Sequence, residues 1–94
     1  MPSKSMSIAL EHFTTFGDLL KYLRRRAGLT QRELSIAVNY SDTQISRLEQ
    51  NERLPDLATL TARFFPALHL DEQPEVAERL LELAATIAAL EDAE

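Results

Sequence analysis

The sequence lacks cysteine, has only two glycines and contains no long hydrophobic run. Without cysteine the chain can form neither a disulfide framework nor a thiolate metal site. The apolar patch at residues 7–10 is far shorter than a signal-peptide core or a membrane span, so we expect a soluble, cytoplasmic protein with no membrane partner. Scarce glycine, together with abundant Ala, Leu, Arg and Glu, favours helices along most of the 94 residues.

The residue types that carry chemistry do not form any of the usual catalytic groupings. The sequence has no Ser/His/Asp set and no Gly-rich phosphate loop, and its two histidines, His12 and His69, have no partner at metal-ligand spacing. The carboxylates near the C-terminus are typical of a solvated helix face. We therefore expect no enzymatic activity, no metal site and no cofactor.

Charge is divided unevenly along the chain, whose formal net charge is −5. Residues 1–53 hold eight Lys or Arg against six Asp or Glu, a net +2. Residues 54–94 hold two Arg against nine Asp or Glu, a net −7. This asymmetry indicates two faces with different partners, one of them a polyanion. Ordinary solvated charge on two surfaces would give the same numbers, so charge alone does not decide the matter.

Hydrophobic periodicity and capping residues predict helices in one domain at residues 13–94, preceded by a flexible arm at residues 1–12. Thr15 and Asp18 predict a capping box for the first helix. Gly28 predicts its end, because glycine accepts the left-handed conformation that often follows a helix. We expect an all-α, compact bundle of about five helices, at residues 16–27, 31–38, 42–50, 57–65 and 74–90.

The second and third predicted helices begin with the same pattern and lie very close together. Residues 30–33 (TQRE) and residues 41–44 (SDTQ) each match a capping box, and only Asn39 and Tyr40 lie between the two helices. A break this short needs a residue that tolerates positive φ, and Asn39 is the best non-glycine choice. The pattern predicts two helices that cross steeply, which is a helix-turn-helix at residues 31–50.

Three groups of residues between Phe16 and Leu70 form a recognisable pattern. The first is Arg24, Gly28, Leu29, Thr30, Gln31, Leu34 and Ser35. The second is Ser41, Ile45, Ser46, Arg47, Leu48 and Glu49, and the third is Pro55, Leu57 and Leu60. Together they resemble the phage Cro/repressor-type (XRE) helix-turn-helix, a lambda-repressor-like DNA-binding domain. The resemblance implies a nucleoid-associated transcriptional regulator that binds double-stranded DNA in a sequence-specific way, with residues 42–50 in the major groove.

The chain departs from the family pattern at three places. Asn39 stands where the turn usually carries glycine, and Asp42 puts a negative charge at a position that approaches DNA. Pro66, together with one extra residue before Leu70, interrupts a helix that is usually unbroken in the family. Since proline cannot donate to the helix ladder, we expect the fourth helix to end or kink at Pro66.

The resemblance also implies roles for individual residues. The residues that face outward from the third helix would read bases: Asp42, Thr43, Ser46 and Arg47. Arg47 suits guanine, Thr43 suits a thymine methyl group and Asp42 suits cytosine N4. Phosphates would be held by Gln31, Gln50, Asn51 and Arg53. Arg24 and Glu49 match a pair that joins the first helix to the third as a partly buried, structural salt bridge.

The fifth predicted helix carries apolar residues at alternating spacings of four and three: Val76, Leu80, Leu83, Ile87 and Leu90. This heptad seam, widened by Leu81 and Ala84, exceeds what one small core can cover. The excess predicts a homodimer through the C-terminal helix, which suits DNA half-sites related by two-fold symmetry. The alternative is that this helix is simply the fifth core helix, or that it leads into a further domain.

Two other classes of protein remain open. One is an antitoxin-like protein that binds DNA and also docks a protein partner on its acidic, apolar-striped C-terminal half. The other is a helical interaction module that keeps the core without binding DNA, and changes at Arg47 and Gln31 would not affect its activity.

Overall fold

A computed structural model describes residues 12–92, and the side chains of residues 12–85. Within these residues all regular structure is helical, and five helices pack into a compact bundle, as the sequence predicts. They are α1 (Phe16–Arg26), α2 (Gln31–Val38), α3 (Asp42–Glu49), α4 (residues 57–67) and α5 (Pro74–Asp92), with a short 3₁₀ turn at Leu70–Glu72. The predicted arm at residues 1–12 lies outside the described residues, apart from His12.

Each of the first four helices begins at a side chain that caps it. Thr30 and Ser41 complete the two capping boxes that open α2 and α3. Asp56 caps α4 by accepting from the Thr59 backbone N–H at 2.8 Å. Only half of the capping box predicted for α1 is present in the described structure. Thr15 Oγ1 accepts from Asp18 N, but the Asp18 carboxylate does not accept from the Thr15 backbone N–H. The Asp side chain is one methylene shorter than the Glu that this position usually carries.

The first four helices also end in the same way, at a residue with positive φ. These residues are Gly28, Asn39, Asn51 and His69, with φ of 78°, 63°, 64° and 61°. At the first three, the left-handed residue and the one after it donate back into the last helical turn, which is a Schellman motif. Residue type identifies Gly28, Asn39 and Asn51 as helix ends. Histidine is also enriched at positive φ, but less specifically for helix ends, and the end of α4 at His69 was not predicted.

Helix α4 contains an irregular turn. It consists of α-helix at Leu57–Thr59, π-helix at Leu60–Phe64 and α-helix again at Phe65–Ala67. The π turn holds one residue more than an α turn, and so takes up the extra residue expected before Leu70. The helix does not end near Phe65 but continues past Pro66 to Ala67. Of the two effects expected of Pro66, an end or a kink, the end is excluded, and the irregular turn lies directly before Phe65 and Pro66.

The core runs through all five helices, and α5 is part of it. Val76, Leu80 and Leu83 are 8%, 0% and 6% exposed and belong to the core that α1 also lines. The prediction that these three residues form a dimer or partner surface is therefore wrong: the bundle uses that face of α5 to close its own core. The side chains of Ile87 and Leu90 lie outside the described residues. None of the helices in residues 12–92 combines the length and hydrophobicity that a membrane crossing requires.

Helices α1 and α3 approach closely at Gly17, in the first turn of α1. A Cβ atom at this position would lie 2.7 Å from the Leu48 carbonyl oxygen and would overlap the Glu49 carbonyl group. Only glycine fits such a contact without moving the backbone. Gly17 is thus a packing residue, although nothing in the sequence around it marks the contact.

Gly17→Ala is expected to lower the free energy of unfolding by about 1–3 kcal/mol, because the overlap outweighs the higher helix propensity of alanine. Urea denaturation measures the change. Ala85→Gly, the reverse exchange at an exposed position of α5, is a matched control and should cost about 1 kcal/mol through propensity alone. A Gly17→Ala protein as stable as the parent would contradict the packing role.

Candidate nucleic-acid interface

Helices α2 and α3 form the helix-turn-helix that the sequence predicts. Asn39 adopts the left-handed conformation between them, and Tyr40 N donates to Ser35 O at 2.8 Å, which closes the turn. Ser35 is buried, with its hydroxyl donating to Arg32 O at 2.6 Å, so this polar group is satisfied where α3 packs against α2. The turn holds α3 with one face in the core and the opposite face outward.

The outward face of α3 brings together the residues expected to read bases. Asp42, Thr43 and Arg47 are exposed, and Ser46 is partly buried beside them. The opposite face of the helix is buried, through Ile45, Leu48 and Glu49. Positions 42, 43, 46 and 47 repeat at the spacing of one helix face, so these four side chains present a continuous polar surface.

Three of the four residues expected to hold phosphates use part of their amide group inside the protein. Gln31 Nε2 donates to Glu49 Oε1 at 3.1 Å, and Gln50 Nε2 donates to Ser46 Oγ at 2.8 Å. Asn51 Oδ1 accepts from Gly17 N at 2.8 Å. Each of the three still has at least one amide N–H without a use in these bonds. Arg53, the fourth, is exposed.

Arg47 and Arg53 lie on the same depression at the end of the helix-turn-helix. Its volume is about 240 Å³, and it is lined by Tyr40, Gln44, Arg47, Leu48, Arg53 and Leu54. Two guanidinium groups on one concave surface favour an anion there, because each offers several donors in a fixed plane. The depression joins the end of α3 to the link that follows it.

The carboxylate of Glu49 connects three helices. Arg24 Nε donates to Glu49 Oε2 at 2.6 Å and Arg24 Nη2 donates to Oε1 at 3.2 Å, which is a two-point ion pair between α1 and α3. The Gln31 amide adds a bond from α2, and Arg24 Nη1 donates to Leu29 O at 2.9 Å. The side chains of Arg24 and Glu49 are only 10% and 3% exposed. The group therefore fixes the buried end of α3 relative to both other helices.

Two titratable groups beside the depression have shifted pKa values. Hydrogen bonds from Thr59, first from its side chain and then from its backbone, hold the pKa of Asp56 below its ordinary value. Burial raises the pKa of the Tyr40 phenol, and the nearby Asp56 carboxylate raises it further, against a smaller opposing hydrogen bond with Thr59. Tyr40 also packs edge-on against Phe64, with ring centroids 5.6 Å apart. Tyr40 therefore stays neutral at physiological pH and packs against the core.

Glu49→Ala is expected to lower the free energy of unfolding by about 3–5 kcal/mol, because it leaves the Arg24 guanidinium buried without its counter-charge. Urea or thermal denaturation measures the loss. The control is Glu52→Ala, an exposed carboxylate three positions along, which should change stability by less than about 0.5 kcal/mol. Glu49→Gln keeps the shape of the side chain, and it should fold even if the alanine variant does not. Equal stability of Glu49→Ala and Glu52→Ala would contradict the structural role of the ion pair.

Lowering the pH should weaken the N-terminal cap that Asp56 provides for α4. Because the pKa of Asp56 is lowered in the folded protein, its contribution to stability is present above its ordinary pKa of 3.8 and is lost as pH falls through the lower folded value. The amide side chain of an Asp56→Asn variant would still cap the helix but would not titrate. As the pH is lowered from about 6 to about 3, the Tm of the parent should therefore fall more than the Tm of Asp56→Asn. A difference independent of pH would contradict this assignment.

A family model described as a helix-turn-helix domain matches residues 15–93. The match begins at the Thr15 cap and covers all five helices. No curated protein and no solved structure matches the chain. Because the family match spans most of the chain and coincides with the helix-turn-helix geometry of α2 and α3, the chain belongs to the helix-turn-helix domain family.

Proposed function

We propose that the protein is a sequence-specific DNA-binding transcriptional regulator of the phage Cro/repressor (XRE) type, and that α3 enters the major groove. The observation that carries this proposal is the outward face of α3, where Asp42, Thr43, Ser46 and Arg47 lie side by side on a helix whose other face is buried. Short polar side chains and one long cation suit the pattern of donors and acceptors on base edges. Family membership supports the same function without identifying a DNA sequence.

Phosphate contacts would surround this base-reading face. Arg53 lines the same depression as Arg47. Gln31 begins α2, where backbone N–H groups that have no helical partner favour an anion. Gln50 and Asn51 follow at the end of α3. Contacts of this kind position the protein on the duplex but carry no sequence information, so specificity would come from the outward face of α3.

The uneven charge of the chain supports the same orientation. The half that contains the helix-turn-helix has a net charge of +2, and the half after it has −7. Phosphates would attract the first half and repel the second, so the acidic half would point away from DNA. Binding that relies on few cations should depend on specific contacts more than on charge alone.

A homodimer through the distal part of α5 completes the proposal. The heptad seam continues in the sequence to Ile87 and Leu90, beyond the part of α5 that closes the core. A two-fold dimer would place two copies of α3 on successive half-sites, about one helical turn of DNA apart. The operator would then be a palindrome.

The acidic charge of the C-terminal half favours one alternative, an antitoxin-like protein. In that case the half with net charge −7 would dock a basic protein partner while α3 still binds DNA. The third possibility, an interaction module without DNA binding, predicts that Arg47 and Gln31 are dispensable. The experiment below separates it from the other two.

Selection from a randomised duplex library near physiological salt should enrich a palindromic site, bound with a Kd of about 10⁻⁸ M or tighter. Arg47→Ala should lose about 1–3 kcal/mol of discrimination at one position in each half-site, because the paired contact to one base is lost. Arg53→Ala should weaken binding to all sequences alike and reduce the salt slope by about one. Arg63→Ala removes the same charge from an exposed position of α4, and it should change neither the base preference nor the salt slope.

Weak binding that depends only on salt, with no enriched sequence, would contradict the proposed function. Enrichment of a single half-site would support base reading by α3 but would argue against the dimer. If the parent and Arg47→Ala select the same sequence with the same preference at every position, a residue other than Arg47 reads the bases.

A further inference from the structure

Asn51 joins the end of α3 to the beginning of α1. It lies directly after the C-cap of α3, with φ of 64°, and its side-chain Oδ1 accepts from Gly17 N at 2.8 Å. The two residues are 34 positions apart in the sequence. A glycine would satisfy the same φ at lower cost, so the backbone alone does not require asparagine here. The side chain has a use of its own, which is the hydrogen bond that it accepts from Gly17.

The chemistry of this bond fixes the orientation of the Asn51 amide. In the Asn51 amide only Oδ1 can accept from an N–H, so Oδ1 faces α1 and the two N–H groups of Nδ2 lie on the other side of the amide. The acceptor caps a backbone donor of the first turn of α1, which has no partner within that helix. The Gly17 N–H is thus satisfied by the side chain that follows the C-cap of α3.

Within the described residues, the Gly17–Asn51 bond is one of two side-chain connections between α1 and the end of α3. The other is the ion pair of Arg24 with Glu49. Gly17 and Arg24 are seven residues apart, two helical turns or about 10 Å, so they lie on the same face of α1. One connection restrains α3 from the first turn of α1 and the other from its last turn. Together they oppose a change in the tilt of α3 that either bond alone would permit.

We infer that Asn51 is a positioning residue for sequence-specific recognition, which acts through the first turn of α1 to set the tilt of α3. This role rests on the proposed function. Arg47 and Thr43 lie four and eight residues before Asn51, so a small rotation about the end of α3 displaces their side chains relative to base edges. Hydrogen bonds to bases weaken steeply with distance and angle, whereas contacts to the flexible, evenly charged phosphate backbone tolerate such a displacement.

The test compares Asn51→Gly with Asn39→Gly. Both changes keep a left-handed residue after a helix, but the Asn39 side chain makes no hydrogen bond within the described part of the chain, so only Asn51→Gly removes an inter-helix bond. We expect Asn51→Gly to speed exchange of the Gly17 amide hydrogen by about tenfold and to weaken binding to the selected DNA site by about tenfold. Its affinity for random-sequence DNA should fall by a clearly smaller factor, because a phosphate contact by Asn51 contributes to every sequence alike. Asn39→Gly should leave all three quantities unchanged.

Asn51→Asp provides the conservative variant, because it retains the oxygen that accepts from Gly17. The Gly17 amide should exchange as slowly in Asn51→Asp as in the parent. Unchanged Gly17 exchange in Asn51→Gly would overturn the inference. An equal loss of affinity for selected and random DNA would also overturn it, since a residue that contacts phosphate without positioning α3 gives that result. A parent that selects no sequence would refute the proposed function and the recognition role together, whereas Gly17 exchange measures the connection between α1 and α3 without DNA.

Discussion

The rest of the structure depends on the carboxylate of Glu49, which holds α3 in place between its two neighbours. Helix α3 has eight residues, too few to be stable by itself, and it buries only Ile45 and Leu48 as apolar side chains. Apolar contacts from two side chains do not fix the tilt of so short a helix. Directional bonds do, and Glu49 accepts them from Arg24 of α1 and Gln31 of α2. A buried ion pair of this kind contributes little net stability, yet its geometry permits one arrangement of the three helices.

This arrangement explains how so small a helix can serve both the core and a ligand. All of the strong anchors of α3 lie at its C-terminal end, where Glu49 meets Arg24 and where the carbonyl groups of Leu48 and Glu49 lie against Gly17. The N-terminal end requires only the Ser41 cap and the tight turn at Asn39. Apart from Gln44, which completes the capping box, the outward side chains at that end, Asp42 and Thr43, make no hydrogen bond within the described residues. They can vary in residue type without disturbing the fold, which is what a surface that distinguishes DNA sequences needs.

Most of the helical framework could be predicted from the sequence, since it depends on local chemistry. The capping boxes at Thr30 and Ser41 and the left-handed residues Gly28 and Asn39 require only short-range bonds, so their residue types suffice. The π turn of α4 and the burial of Val76, Leu80 and Leu83 could not be predicted in the same way. Both depend on which helices meet in space, and a heptad seam looks the same whether it closes its own core or pairs with another chain. The close approach at Gly17 could not be predicted either, because it depends on how α1 packs against α3.

The internal bonds of Gln31, Gln50 and Asn51 bear on how the proposed interface would bind DNA. A free glutamine or asparagine on a surface samples many rotamers, and ordering it on binding opposes affinity by about 0.5–1.5 kcal/mol per side chain. Here each amide is already held by Glu49, Ser46 or Gly17, which leaves an N–H to donate outward. The protein folds with these donors in place, so the ordering cost falls on folding instead of on DNA binding. With a net charge of only +2 in the half that would face DNA, such preorganisation offers affinity that additional cations would otherwise have to supply.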